Sequence, residues 1–143
     1  MDRPAVLQVA DQRHRPSVDT AELRLDGEEI EQRLRRVLAH AVPRALPSDK
    51  GKIPLQLIQE NIHTTLREHI TETKAIALEN THNVWGGTLL DLDYLHAVAA
   101  WARRFNLFMH LDGARVFNAA TALGVDVKKV VRPFDSVMFC LSK

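Results

Sequence analysis

Three short polar clusters in this chain carry residue types that can do chemistry. They are Glu79-Asn80-Thr81-His82-Asn83, Asp112-Gly113-Ala114-Arg115 and the terminal pair Ser142-Lys143. Together they offer carboxylates, amides, an imidazole, a guanidinium and a primary amine. A carboxylate can hold a proton on a neighbouring base, an imidazole can move one, and an amine held neutral can attack a carbonyl. Each residue also has a plainer use. Asp112, before Gly113-Ala114, suits the cap of a following helix. Asn80 and Asn83 suit a turn. His82 beside them suits a structural role, and Lys143 suits a solvated chain end. Arg115 differs, because a cation in the first turn of a helix opposes the helix dipole, which points to an anionic partner.

The clusters matter only if something brings them together. "TKAIALE", "LFMHLD" and "FDSVMFCLS" are short apolar runs that read as strands, and each ends at one cluster. Between them, "DLDYLHAVAAWARRFN" places Leu92, Leu95, Val98, Ala99 and Ala102 on one helical face, with Asp91 as its cap. "GARVFNAATALG" reads as a second helix, ending at Gly124, with one further turn in "DVKKVV". Strands alternating with helices predict a parallel sheet with crossover connections. Continuous apolar strands predict burial on both faces of that sheet. In such sheets ligands bind beyond the carboxyl ends of the strands, so all three clusters should share one edge. His110 lies on the strand face opposite Leu111 and should bond locally. Trp101 and Phe105, four apart, read as core.

Upstream the pattern is looser. Residues 1–18 show no clear period and read as poorly ordered. "DTAELRLDGEEIEQRLRRVLAHAV" has helical spacing at Leu23, Ile30, Leu34, Val37, Leu38 and Ala41. Pro43, Pro47, Gly51 and Pro54 then predict a linker or surface loop. "LQLIQENIHTTLREHI" predicts a helix through Leu55, Ile58, Ile62 and Leu66.

The bulk composition narrows the class. Hydrophobic residues are 45% of the 143 and charged ones 26%, which fits a soluble globular domain. A formal charge of +1 gives no field for nucleic acid or anionic lipid. No apolar run approaches the roughly 20 residues of a membrane span, and no signal-peptide core opens the chain. One cysteine, Cys140, excludes an internal disulfide framework. We expect a cytoplasmic protein. A generic nucleotide-binding domain is poorly supported, because neither G-x-G-x-x-G nor a Walker loop is present.

"LENTHNVWGG", "HLDGARVFNAATALGV" and "DSVMFCLSK", in that order, resemble the threonine aldolase family. The resemblance runs from about Asp49 to Lys143. It implies an α/β fold, part of the large domain of a fold-type-I pyridoxal-phosphate enzyme. About three parallel strands with crossover helices would be joined to an N-terminal helix. Residues 1–48 would form a divergent segment and residues 49–143 the partial cofactor domain. The implied cofactor is pyridoxal 5'-phosphate, carried as a Schiff base on Lys143. Asp112 matches the carboxylate that keeps the ring nitrogen protonated. Arg115 matches an arginine beside the cofactor, Asn83 a contact to the ring hydroxyl, and His69 a histidine near the substrate hydroxyl. The implied reaction is retro-aldol cleavage of L-threonine or L-allo-threonine to glycine and acetaldehyde. The implied partners are a small amino-acid substrate and a homo-oligomer, without nucleic acid, membrane or metal.

The sequence also departs from that pattern. No Ser-Gly-Thr type phosphate loop and no ring-stacking histidine stand in residues 1–48, and the family's small C-terminal domain does not follow Lys143. The expectation is a truncated form. Its alternative function is that of a catalytically inactive interaction partner of full-length subunits.

Overall fold

The computed structural model describes residues 5–10, 41–63 and 72–142. Strand β3 (Ala75–Glu79), strand β4 (Phe108–Gly113) and strand β5 (Ser136–Phe139) form a parallel sheet in the order β3-β4-β5. Helix α2 (Leu92–Arg104) links β3 to β4. Helices α3 (Val116–Leu123) and α4 (Val127–Val131) link β4 to β5. This is the predicted α/β arrangement.

Local chemistry explains these boundaries. Asp91 caps α2, its Oδ1 accepting the Tyr94 N–H at 2.7 Å. Arg103 and Arg104 fill its last turn, where cations suit the dipole. Gly124 closes α3 at φ 66°, the left-handed conformation glycine adopts without strain. Asp126 caps α4 through the Lys128 N–H at 2.8 Å.

The core lies on one face of the sheet. Register pairs Ile76 with Met109 and Leu78 with Leu111, and Leu111 with Val137. These side chains pack against Leu95, Val98, Ala99 and Ala102 of α2, Val116 and Ala120 of α3, and Val130 of α4. The pleat sends Phe108, His110 and Asp112 to the other face. That face is less buried than expected along β4, although Ala77 of β3, opposite His110 on the same face, is buried. Along β4 burial alternates, Phe108 is 49% exposed and its pleat neighbours His110 and Asp112 are half-buried. Ala75, Ala77 and Phe108 make the start of this face apolar, while His110, Glu79 and Asp112 make it polar toward the carboxyl ends. His110 bonds locally as expected, with Nδ1 2.6 Å from Ser136 Oγ.

The upstream expectations change most. Ala5–Ala10 forms strand β1 inside the segment read as disordered, and Ala41–Leu46 forms strand β2. The two pair antiparallel, from Ala5 opposite Leu46 to Ala10 opposite Ala41. Ala41 and Val42 are therefore strand and not the end of the predicted helix. The rest of that helix, residues 19–40, lies outside the described residues. The predicted linker is structured too: β2 passes through Pro43, which an edge strand tolerates, into a tight turn where Asp49 and Lys52 exchange backbone bonds at 2.8 and 3.0 Å. Helix α1 (Leu55–Glu60) is shorter than its predicted period. It stops because Asn61 Nδ2 turns back to Leu57 O at 2.9 Å, and His63 pairs with Thr73 instead, its O accepting from Thr73 N at 2.8 Å. Trp101 and Phe105 stack 5.7 Å apart, half-buried under the Arg104 guanidinium, and are not full core.

Candidate functional site

The carboxyl ends of the three strands converge as the topology requires. Glu79 ends β3, and Asp112 stands opposite it near the end of β4, with Met138 of β5 next in register. Two carboxylates thus lie on neighbouring strands and on the same face of the sheet.

Asp112 is half-buried. Its Oδ1 accepts the Ala114 N–H at 3.2 Å. Its backbone O accepts from Asn80 N at 3.1 Å, which ties the β3 and β4 ends together. Asp112 is not the cap of α3. Arg115 takes the cap position and makes no side-chain capping bond, so the capping explanation for Asp112 is not realised. Among the described residues only Oδ1 has a hydrogen-bond partner. Arg115 is half-buried three residues further on, at the start of the same helix.

The loop after β3 is built around Asn80. This side chain is fully buried, and its amide makes two bonds to Leu90, Nδ2 to O at 3.0 Å and Oδ1 from N at 3.1 Å. Inside that closure His82 and Thr88 form a bridge, with His82 N to Thr88 O at 2.9 Å and Gly87 N to His82 O at 2.9 Å. Asn83 sits at the exposed bend. Its N–H donates to Glu79 Oε1 at 3.0 Å and its O accepts from Gly86 N at 3.1 Å. The turn at 49–52 docks on this loop, where Thr88 Oγ1 donates to Lys50 O at 2.7 Å.

Of the residues singled out in sequence, Asp112, Arg115 and Asn83 stand on the carboxyl-end edge. His69 and Lys143 lie outside the described residues. Glu79 belongs to the first polar cluster and makes contacts that the sequence does not announce. Its one signal in sequence is a carboxylate ending a strand four residues before an asparagine. A carboxylate, a guanidinium and an amide at the carboxyl ends of neighbouring strands are groups that can hold a proton, balance an anion and accept or donate a hydrogen bond. The described residues include no glycine-rich cradle for a phosphate. They include no group of three metal-ligating side chains, and no described helix is long and apolar enough to cross a membrane.

The chain is similar to known proteins. A family model described as beta-eliminating lyase matches residues 20–143. A probable low-specificity L-threonine aldolase 2 of Arabidopsis thaliana is 49% identical over 75 residues, 52% of this chain and 21% of that protein. A low specificity L-threonine aldolase of Escherichia coli (strain K12) is 40% identical over 93 residues, 65% of this chain and 27% of that protein. The crystal structure of a putative L-allo-threonine aldolase from Listeria monocytogenes superposes with a TM-score of 0.64. It covers 83% of this chain and 31% of that one at 22% identity, which speaks for the fold alone. The chain spans about a quarter of the length of the curated relatives it matches.

Proposed function

Because the chain belongs to the beta-eliminating lyase family, we propose that it carries part of a threonine aldolase site for L-threonine or L-allo-threonine. The cofactor in this reading is pyridoxal 5'-phosphate, the setting cytoplasmic and the assembly homo-oligomeric. One observation carries it. Asp112 stands at the carboxyl end of β4 with one oxygen held by Ala114 N–H at 3.2 Å.

The roles follow from the side chains. Asp112 holds a proton on the ring nitrogen, since a carboxylate beside a base favours its charged form. Arg115, always charged, balances negative charge on the ring oxygen or the substrate. Asn83 contacts the ring hydroxyl from its bend. His69 takes the proton of the substrate hydroxyl, and the Lys143 amine tethers the cofactor. When bound, the cofactor supplies the electron sink that lets the Cα–Cβ bond break. The donor set fits the ring end of that group, and the phosphate end has no partner among the described residues.

The test is direct. Mix the purified chain with pyridoxal phosphate, reduce with borohydride and map the adduct by mass spectrometry. A pyridoxyl mass on Lys143, with acetaldehyde released from L-allo-threonine, is the expected result, and Lys143→Ala removes both. No adduct on a folded chain overturns catalysis by this chain alone. It would favour a second reading, a catalytically inactive partner of full-length subunits. That reading draws on two large apolar side chains exposed on one sheet face, Phe108 at 49% and Met138 at 40%.

A further inference from the structure

One buried side chain at this edge has no part in the proposed reaction. His82 is only 4% exposed, and its Nδ1 is buried with no hydrogen-bond partner among the described residues. A buried polar atom left unpaired costs stability, so His82 is a poor choice as mere filler. One side of the ring is pressed on Gly51. A Cβ added there would lie 2.5 Å from His82 Cδ2 and 2.6 Å from Cγ. Toward the sheet, Nε2 lies 3.7 Å from Glu79 Oε2. The other oxygen of that carboxylate accepts the Asn83 N–H at 3.0 Å. Gly51, His82, Glu79 and Asn83 are therefore in contact in series. They run from the 49–52 turn to the residue assigned to the ring hydroxyl.

We propose that His82 is a positioning residue: wedged against Gly51, it holds the Glu79 carboxylate where that carboxylate fixes Asn83 at the cofactor face. What Asn83 meets there rests on the functional reading above. The link from His82 to Asn83 is a property of this chain without any ligand. At 3.7 Å the contact is too long for a hydrogen bond. The ring works as a packed wall beside the carboxylate, and the carboxylate then makes the directional bond. The backbone bonds of His82 to Thr88 and Gly87 keep the wall in place.

The whole chain, without cofactor, tests the link by residue-resolved amide exchange. His82→Gln should speed exchange at the Asn83 amide about tenfold, while the Leu95 amide in the buried stretch of α2 is unchanged. Gly51→Ala should do the same by displacing the ring. Gly124→Ala is its control. Both glycines have positive φ, 86° and 66°, but nothing lies within 4 Å of a Cβ at Gly124. It should leave Asn83 as it is. With pyridoxal phosphate added, the first two variants should weaken binding about tenfold by the visible absorption band. Gly124→Ala should not. Unchanged exchange at Asn83, or a rise shared equally with Leu95, overturns the proposal. A native chain that binds no pyridoxal phosphate sinks the functional reading instead, and the exchange arm still decides the link. If His82→Gln does not fold, Gly51→Ala against Gly124→Ala carries the test.

Discussion

Asn80 and Leu90 close a ring of two buried hydrogen bonds, Nδ2 to O at 3.0 Å and N to Oδ1 at 3.1 Å. That pair fixes both ends of the loop holding His82 and Asn83. Asn80→Ala leaves the Leu90 N–H and C=O unpaired in the core. It should cost about 2–4 kcal/mol. Urea unfolding reads the loss as a lower midpoint with an unchanged slope. A change under about 0.5 kcal/mol would show that the closure is not structural.

Asp91 links helix capping to pH. Its carboxyl is held below the ordinary 3.8, first by the Tyr94 N–H and then by the Lys52 ammonium at 3.0 Å. A folded-state value below the unfolded one stabilises above 3.8 and fades as pH falls through the lower value. Asp91→Ala should cost about 1 kcal/mol near neutrality. The gap between native and variant midpoints should close in acid. The exposed pair with Lys52 adds little.

Tyr94 should show the opposite limb. Its hydroxyl donates to Ile53 O at 2.8 Å and accepts from Ile53 N at 3.1 Å. Burial pushes it up to about 12 from 10.0. Ionisation is resisted by the fold, so stability from this group is complete below 10 and is lost as pH rises toward 12. Tyr94→Phe should cost about 1–3 kcal/mol at neutral pH, since both Ile53 groups lose their partner. The variant should also lack this part of the alkaline loss. A denaturant series from pH 8 to about 12 measures both.

Asp112→Asn tests the functional reading separately from the fold. The side chain is half-buried with one local bond, so stability should move by less than about 1 kcal/mol. Retention of pyridoxal phosphate should fall about tenfold or more, the equivalent of one pK unit at the ring nitrogen. Equal binding in native and variant chains would remove Asp112 from the site.

Much of this was legible from local pattern. Asp91, Gly124 and Asp126 mark helix ends by chemistry that acts within three residues, and the structure puts the boundaries there. β3, β4 and β5 were visible as short apolar runs between helical periods. The β1–β2 pair was not, because Ala5 meets Leu46 across a long stretch of chain and neither strand has a strong period of its own. The early end of α1 was hidden for a related reason. Its apolar spacing continues past Glu60, but the Asn61 amide and the His63–Thr73 bonds outcompete it.

The sequence alone determined the α/β class, through the alternation of strands and helices, and placed polar residues after each strand at one edge; its three motifs carried the resemblance to the family. Only the tertiary structure decided what stands behind Asn83. The contact of Gly51 with His82, and of His82 with Glu79, joins a turn to a loop some thirty residues later. Nothing in local spacing encodes it, because it depends on how closely two backbones approach. A glycine that reads in sequence as loop punctuation is, in the fold, the space that the histidine ring occupies.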